Sequence, residues 1–440
     1  MANITETMLI YVDSVNNNNK FYHVTLDENG VVTKRWGRVG TDGTVSRENT
    51  GRDGYERVIR AKEKKGYRVT PVNATHVTTS TVNNMNLESI AQKHLTTDPS
   101  NSLVAQLISR IVSANKHQIM EQSGGQIKVS DDGLVRTALG IVNQQTISQA
   151  RFLLLRLMTQ TSSSATLKSN LEDYLTLIPQ DVGRRRGWDT SFLERQNLQH
   201  QQDFLTQLES SVQWYDKTLA AAKVDAEKEE VEKDHSDLFR MRLGYLDKAD
   251  PRYKEIERVY MGSRNMRHNT SRSFKLVNVF TVEDEAHEEV FNQTAEKLGN
   301  IRQLWHGTSV SNVLSILTKG LFIPKSTDSI QIAGRMFGDA LYFSSQSSKS
   351  LNYSNNYWHG GPHRSSNCFM FFNDIVMGNE FRPARWDYTQ REKAYRGKDS
   401  KGRPYNSIYV KGGTCGVLND EMMVWNTDQI KLKYLCEFAE

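Results

Sequence analysis

The chain has 440 residues, which is long enough for roughly two to four domains with sizeable cores. Its 56 Lys and Arg residues outnumber its 51 Asp and Glu residues, so the net charge of +5 permits an anionic partner without requiring one. The three cysteines, Cys368, Cys415 and Cys436, form no C-x-x-C pair, which argues against a zinc finger or disulfide framework and favours a reducing, intracellular compartment. No apolar run reaches bilayer-spanning length and residues 1–20 lack a signal-peptide core, so we expect no membrane partner.

Residues 1–75 are predicted to form a small, mostly-β module. Three β-rich runs are separated by Asn- and Gly-containing turns: Met8–Val12, Phe21–Thr25 and Val31–Thr33. A basic helical segment follows from Gly54 to Gly66. The module holds 12 Lys and Arg residues against 9 Asp and Glu residues, so its net charge is +3 and it contributes most of the chain's excess.

Within this module, Trp36 lies among the basic residues Lys34, Arg35 and Arg38. An apolar ring beside cations suits an exposed nucleotide or the end of a DNA duplex. A core tryptophan in a small sheet, with solvated basic neighbours, is at least as consistent with the same pattern. The residue types alone leave both interpretations open.

The middle of the chain is predicted to be a linker at 76–89 followed by an all-α bundle over 90–237. The linker is rich in Thr, Ser and Asn and has no periodicity. Apolar residues at helical spacing then predict helices at 103–112, 134–142, 150–158, 192–215 and 216–233, with another ending at 174–183. No side chain in this helical segment indicates a catalytic function.

The last segment, 238–440, is predicted to form a mixed α+β domain. Strand patterns at 274–282, 368–377, 421–425 and 430–438, with few helices between them, predict largely antiparallel sheets around a cleft. The fold class is therefore predicted as α+β multidomain.

Four short motifs stand in this last segment. A His306-Gly307 turn lies between a strand and a short helix that ends at Gly320. It is followed by a Phe-Gly-x-x-x-Tyr-Phe stretch at 337–343, a Ser-Lys-Ser-x-x-Tyr stretch at 348–353, and Glu421 before a strand. Each motif is weak alone, because a buried histidine beside a turn glycine is common.

The ordered set of four motifs resembles the ADP-ribosyltransferase domain of the poly(ADP-ribose) polymerases, including that family's His-Tyr-Glu trio as His306, Tyr353 and Glu421. Asn19–Tyr22 and Trp36-Gly37-Arg38 resemble the family's Trp-Gly-Arg module, and residues 174–183 resemble its helical regulatory domain. The resemblance implies a compact member with a module at 1–75, a regulatory domain at 90–237 and a catalytic domain at 238–440.

The resemblance implies that NAD is a substrate rather than a bound cofactor. No G-x-G-x-x-G is present, so a Rossmann nicotinamide site has no support in the residues themselves. The implied catalytic residues are Glu421, His306 and Tyr353. Glu421 is expected to bond the nicotinamide ribose and orient the acceptor hydroxyl, and Lys349 to pair with Glu421 or a phosphate.

The remaining NAD-binding residues are also implied by the resemblance. The Gly307 backbone and the Ser350 hydroxyl are expected to grip the nicotinamide amide, and Tyr353 to stack on its ring opposite Tyr342. The adenosine ribose is expected to bond His306, with two further residues nearby: Thr308 and Asn312.

The same resemblance implies regulation and partners. DNA strand breaks are expected to bind Trp36, Arg38, Lys34 and Arg35, Arg38 also touching the next domain, while the helical domain obstructs NAD entry until DNA binds. Acceptor proteins including the enzyme itself, an accessory protein that completes the acceptor site, and a nuclear location in a eukaryote follow as further expectations. No metal is expected.

The residues leave two types of product open, a poly(ADP-ribose) chain and a single ADP-ribose unit. In the family a Glu at the position of Glu421 accompanies chain elongation, which favours a DNA-activated poly(ADP-ribose) polymerase. Arg335 and Asp339 depart from the family's usual Tyr and Lys, which keeps open a mono-ADP-ribosyltransferase. A DNA-end-binding protein with an inert transferase domain is the alternative from another functional class.

Overall fold

The computed structural model describes residues 3–69, 92, 95–98, 100–122, 127–129, 135–137, 140–159, 164–227, 241–269, 272–323, 336–355, 365–385, 387 and 389–440. These residues form two compact units. The N-terminal unit contains the described residues up to 69 and from 115 to 220, and the C-terminal unit contains the others. The α+β multidomain class is confirmed, whereas the linker predicted at 76–89 lies outside the described residues.

The N-terminal unit begins with an antiparallel five-stranded sheet in the order β4-β3-β2-β1-β5. Its strands are β1 (Asn3–Asp13), β2 (Asn18–Asp27), β3 (Val31–Arg38), β4 (Thr44–Asn49) and β5 (Arg68–Val69). Helix α1 (Gly51–Glu63) packs on one face of this sheet, where Leu9 and Tyr22 meet Tyr55. The predicted small β module is therefore present with its basic helix.

The other face of the sheet is also buried. Alternate side chains of β1 point to opposite faces, so Met8 and Ile10 face away from α1. They share a core with helical residues of the same unit, among them Leu171 and Leu175. The helices are α2 (Ser102–Gln122), α3 (Gln144–Thr159), α4 (Ser164–Leu177), α5 (Trp188–Phe192) and α6 (Arg195–Glu227). The sheet is thus an interior layer, with helices covering both of its faces.

Two predictions for the helical segment are wrong. The helix predicted at 134–142 is instead part of a small antiparallel sheet of β6 (Ile127–Val129), β7 (Val135–Thr137) and β8 (Gly140–Ile141). A short apolar run rich in β-branched residues cannot be assigned from periodicity alone. In place of the two helices predicted at 192–215 and 216–233, the described residues form one helix, α6, because no glycine or proline interrupts residues 195–227. Residues 228–233 lie outside the described residues.

The C-terminal unit is built on two sheets. The larger has the order β11-β13-β17-β10-β9 and the smaller β12-β16-β15-β14. The larger contains β9 (Arg242–Leu246), β10 (Lys275–Glu283), β11 (Ile301–Gly307), β13 (Asn367–Val376) and β17 (Ile430–Ala439). The smaller contains β12 (Leu341–Phe343), β14 (Glu380–Phe381), β15 (Ser407–Val410) and β16 (Glu421–Val424). All pairings are antiparallel within these described strands except β14 with β15.

Short helices complete this unit. They are α7 (Pro251–Gly262), α8 (Glu285–Leu298), α9 (Val310–Lys319), α10 (Ser347–Ser354) and α11 (Gln390–Arg396), with a 3-10 turn at Thr427–Gln429. A bridge ties the two sheets together, because the Trp305 N–H donates to the Ser344 carbonyl at 2.9 Å and the Ser344 N–H returns a bond at 3.0 Å. The end of β11 and the strands around β16 are therefore held side by side.

The first half of α2 belongs to the C-terminal unit and is fixed there by a buried acid. Glu437 of β17, with only 5% of its side chain exposed, accepts from Arg110 Nη1 at 2.6 Å. Asn278 Nδ2 and Asn367 Nδ2 donate to the same carboxylate, each at 2.8 Å. Burial alone would raise the pKa of Glu437, but these three donors together lower it. Arg110 is thus part of the polar contact that anchors the helix to the larger sheet.

We predict that Arg110→Ala frees the first half of α2. Glu437 would lose one of its donors while remaining buried, a change that costs about 1–3 kcal/mol. Hydrogen–deuterium exchange of the amides from 102 to 114 should therefore accelerate, whereas Arg258→Ala, which removes an exposed pair with Glu255, should leave exchange unchanged. Unchanged exchange in Arg110→Ala would contradict the anchoring role.

Candidate functional site

The centre of the C-terminal unit is an ion pair between α10 and the first residue of β16. Lys349 Nζ donates to Glu421 Oε2, and the two side chains are only 6% and 12% exposed. Burying an isolated charge is costly, so the contact between the two opposite charges offsets part of the cost of burying each. Of the two partners expected for Lys349, Glu421 is the one it contacts.

A second acid, Asp420, lies beside this pair. Its Oδ2 accepts from the Ser345 hydroxyl at 3.0 Å and the Tyr409 hydroxyl at 3.3 Å, and its Oδ1 accepts from the Gly412 N–H at 2.8 Å. Burial raises the pKa of Glu421, the Lys349 ammonium opposes that rise, and the Asp420 carboxylate adds to it. The charge state of Glu421 is therefore balanced between two neighbours of opposite sign.

His306 lies at the end of β11, opposite Phe371 of β13. Its Nδ1–H donates to the Tyr342 carbonyl at 3.0 Å, because a carbonyl can only accept. In the neutral ring Nε2 is then the acceptor available to a ligand hydroxyl. Burial lowers the pKa of His306 and the Lys349 ammonium lowers it further, against the raising effect of the Tyr342 carbonyl.

Tyr353 lies one turn after Lys349 on α10 and close to the same acid. Burial and the Glu421 carboxylate raise the pKa of Tyr353 to about 12, so its hydroxyl remains protonated. The three residues of the predicted catalytic trio, His306, Tyr353 and Glu421, are thus each within electrostatic reach of another charged group of one site. Their individual roles stay predictions.

The backbone of Gly307 lies against α10. A Cβ at this position would come within 1.8 Å of the Ser350 carbonyl oxygen, so only glycine allows this approach. The next residue continues the contact, because the Thr308 N–H donates to Ser354 Oγ at 3.1 Å. Asn312 Nδ2 in turn donates to Thr308 Oγ1 at 3.3 Å. Gly307, Thr308, Ser350 and Asn312 therefore form one continuous edge of the site.

Tyr342, predicted as a wall of the nicotinamide pocket, uses its hydroxyl to close a turn. The hydroxyl donates to the Gly338 carbonyl at 2.8 Å and accepts from the Phe337 N–H at 3.1 Å. Its ring remains half-buried beside the turn that contains Asp339. Arg335 and the rest of the loop at 324–335 lie outside the described residues.

The N-terminal unit presents a second candidate surface, on the α1 face of the sheet. Trp36 is half-buried and stacks on Tyr22, with ring centroids 5.7 Å apart. The Lys62 ammonium lies 3.8 Å above the centre of the Tyr22 ring. Burial lowers the pKa of Lys62, and three neighbouring ammonium groups lower it further: Lys65, Lys20 and Lys34. This lysine cluster beside an aromatic pair is the arrangement expected for a polyphosphate backbone.

The four predicted DNA-binding residues do not all lie on this surface. Lys34 and Trp36 do, and Lys34 also pairs with Glu48. Arg35 lies on the opposite face of β3, where its guanidinium carbon is 5.7 Å from the Phe21 ring centre. Arg38 donates to the Asn17 carbonyl at 2.8 Å and to the Gly183 carbonyl, so it contacts the helical segment as expected.

Sequence reasoning missed Lys20, Lys62 and Lys65 as members of this surface. They lie on β2 and in and just after α1, and only the fold brings them to one place. The basic helical segment at 54–66 was the only indication of Lys62 and Lys65 in the sequence. Among the described residues, no three His, Cys, Asp or Glu side chains cluster as a metal site, and no helix has the length and hydropathy of a membrane span.

Comparison with known proteins finds one family match in each of the two units. Residues 252–440 match the poly(ADP-ribose) polymerase catalytic domain, and residues 5–73 match the WGR domain. The poly [ADP-ribose] polymerase-like protein 100L of Invertebrate iridescent virus 6 is 34% identical over 168 residues, which span 38% of this chain and 87% of the viral protein. The chain belongs to the poly(ADP-ribose) polymerase family. The resemblance predicted from the four motifs is confirmed.

Two further members of the family differ in the activity that their names state. Protein mono-ADP-ribosyltransferase PARP3 of Homo sapiens is 26% identical over 397 residues, or 83% of this chain and 70% of that protein. Poly [ADP-ribose] polymerase 2 of Homo sapiens is 28% identical over 215 residues, or 43% of this chain and 34% of that protein. The chain thus carries an ADP-ribosyltransferase domain together with a WGR domain, while the type of product stays open.

We predict opposite shifts of the acid limb of the pH–rate profile for the two neighbours of Glu421. Activity is expected to need the carboxylate and to fall as the pH drops through its pKa. Lys349→Met removes the opposing cation, so the pKa of Glu421 and the limb move to higher pH. Asp420→Asn removes the neighbouring negative charge, so both move to lower pH, each by about one pH unit.

The measurement is kcat for nicotinamide release against pH. Glu296→Gln changes an exposed acid of α8 and should leave the limb in place. Shifts of the same sign in both variants would contradict the assigned charge balance.

Proposed function

We propose that this protein is a DNA-break-activated poly(ADP-ribose) polymerase that cleaves NAD, releases nicotinamide and transfers ADP-ribose to proteins, including itself, and to growing chains. The observation that carries the proposal is the buried Lys349–Glu421 pair beside His306 and Tyr353. A buried carboxylate is the group that stabilises the positive charge formed when a cationic glycoside is cleaved.

The reaction breaks the C–N bond between ribose and nicotinamide. The bonding pair leaves with the pyridine ring, and the ribose carbon becomes oxocarbenium-like. Glu421 would stabilise that positive charge and bond the ribose 2′-hydroxyl, as a preorganised charge that needs no reorientation during the reaction. An acceptor hydroxyl then attacks the same carbon and passes its proton to the Glu421 carboxylate, which would also orient this nucleophile.

The other end of the site would hold the substrate. Gly307 has no side chain between its backbone and α10, so a planar amide could bond its main chain and the Ser350 hydroxyl. Tyr353, protonated and half-buried, would stack on the nicotinamide ring. The Nε2 atom of neutral His306 would accept a hydrogen bond from a ribose hydroxyl.

Mono-ADP-ribosyl transfer is a second candidate, favoured by two observations. The relative named a mono-ADP-ribosyltransferase, PARP3, is similar over 83% of this chain. Asp339, in the turn closed by Tyr342, also places an acid where the family commonly has a lysine. An acid there would repel the pyrophosphate of an incoming ADP-ribose chain.

Activation by DNA is supported by the packing of the N-terminal unit. The WGR sheet shares a core with helices α3 and α4. Asn19 Nδ2 donates to the Gln180 carbonyl at 2.9 Å, and Arg38 and Arg68 contact Gly183 and Asp173. A DNA end bound at the lysine cluster would therefore act on the sheet and the helices as one body, and could shift a regulatory equilibrium by a few kcal/mol.

We predict that the wild-type protein, given NAD and blunt or nicked DNA, forms ladders of modified protein. Glu421→Gln should abolish the ladders and slow nicotinamide release by about a hundred-fold or more, because the neutral amide cannot stabilise the oxocarbenium ion. Binding of nicotinamide by calorimetry should persist, and Glu296→Gln should behave as wild type.

Discrete modification without ladders would support mono transfer instead. Ladders that survive in Glu421→Gln would contradict the role of the acid, and DNA-dependent binding without nicotinamide release would support an inert transferase domain.

We also predict that Arg38→Ala separates DNA binding from activation. Arg38 donates its hydrogen bonds to Asn17 and Gly183 rather than to a ligand, so DNA affinity should change less than about three-fold. The turnover that DNA stimulates should fall about ten-fold, toward the basal rate. Arg60→Ala, which alters an exposed residue of α1, is the matched control. A parallel loss of affinity and stimulation would assign Arg38 to DNA contact alone.

A further inference from the structure

A buried histidine outside the predicted trio links the two elements that carry the ion pair. His268 lies in the segment after α7 and is 7% exposed. Its Nε2 is 3.0 Å from Asn419 Oδ1, and its Nδ1 is 3.2 Å from Asn352 Nδ2. Because the first partner can only accept and the second can only donate, the ring is neutral and carries its proton on Nε2.

Neighbouring bonds extend this link to both sides. Asn265 Nδ2 also donates to Asn419 Oδ1, at 2.9 Å, and the Asn265 N–H donates to Ser348 Oγ at 2.8 Å. Ser347 is tied to the end of α7, because its hydroxyl donates to the Tyr260 carbonyl at 2.8 Å. We call the segment 263–268 with these partners the bracket.

The bonds of the bracket end within two residues of the predicted site. Ser348 precedes Lys349, and Asn352 precedes Tyr353 on α10. On the other side, Asn419 is two residues before Glu421, at the start of β16. The bracket therefore fixes how far the nicotinamide-stacking ring and the ammonium lie from the catalytic carboxylate.

We propose that His268 is a positioning residue for NAD cleavage, which acts by holding Asn352 and Asn419 at a fixed separation. This inference rests on the proposed function of the same site. His268 itself donates no proton to substrate in this role; its neutral ring supplies one donor and one acceptor at opposite edges. A rigid ring suits this task because a displacement of about 1 Å between reacting groups can lower a rate about a hundred-fold.

The proposal separates two properties of the site. The expected nicotinamide clasp, between Gly307 and α10, is held independently of the bracket by the bond from Thr308 to Ser354. The position of Glu421 relative to α10 depends on the bracket. Loss of His268 should therefore impair the chemical step more than the binding of nicotinamide.

The test compares His268→Ala, His268→Gln and Asn419→Ala in the full chain with DNA, and His117→Ala as a control at an exposed histidine. We expect His268→Ala and Asn419→Ala to lower kcat for nicotinamide release about ten- to a hundred-fold, with nicotinamide Kd within about three-fold. His268→Gln should recover most of kcat, because its amide offers both a donor and an acceptor. His117→Ala should match wild type.

A kcat of His268→Ala within about three-fold of wild type would overturn the proposal. So would equal losses in kcat, nicotinamide affinity and Tm that His268→Gln does not recover, since these indicate a purely structural role. Failure of the wild type to release nicotinamide would instead refute the proposed function. In that event the positioning role of His268 can still be tested through the carboxyl ¹³C signal of Glu421. The titration midpoint of this signal should move by about half a pH unit or more in His268→Ala, and an unchanged midpoint would contradict the positioning role.

Discussion

One charged contact organises the C-terminal unit. Lys349 and Glu421 are 72 residues apart in the chain, yet both are buried and in contact. Removing either charge from water costs several kcal/mol, so the fold must hold the two together wherever it buries them. That requirement is met by a short helix, α10, which is almost wholly buried. Its hydroxyl side chains bond α7, the segment after α7 and the residue after β11. The same constraint places the Glu421 carboxylate and the Lys349 ammonium together inside the C-terminal unit.

The N-terminal unit obeys a different constraint. Its WGR sheet is buried on both faces, by α1 on one side and by the helical segment on the other. A ligand on the α1 face therefore cannot act on the sheet alone, since close-packed cores transmit small displacements. The polar bonds at Asn19 and Arg38 give this packing a fixed register. A sheet that is an interior layer passes a displacement at one face to the helices on the other, whereas a sheet with one free face can absorb it.

The sequence predicts features that depend on neighbouring residues, and it fails for features that depend on residues far apart in the chain. Strands β10, β13, β16 and β17 and helix α9 follow from local patterns. The trio of His306, Tyr353 and Glu421 was implied by the resemblance of the four ordered motifs to a known family. The helix predicted at 134–142 failed because a short β-branched run has no distinctive period. His268 and the Lys62 cluster could not be found, because their partners are up to 151 residues away or on another element, and nothing local marks a histidine that bridges two amides. Side-chain partnerships of this kind are products of the tertiary fold.

The most direct test of the central claim is a double-mutant cycle between Lys349 and Glu421, measured as kcat for nicotinamide release with Lys349→Met, Glu421→Gln and the combined variant. If the two residues act as one unit, the single losses should not add: Lys349→Met should cost activity in the wild-type background and almost nothing after Glu421→Gln, a coupling of about 1–3 kcal/mol. Losses that add within about 0.5 kcal/mol would show that the two groups act independently, and would contradict the account.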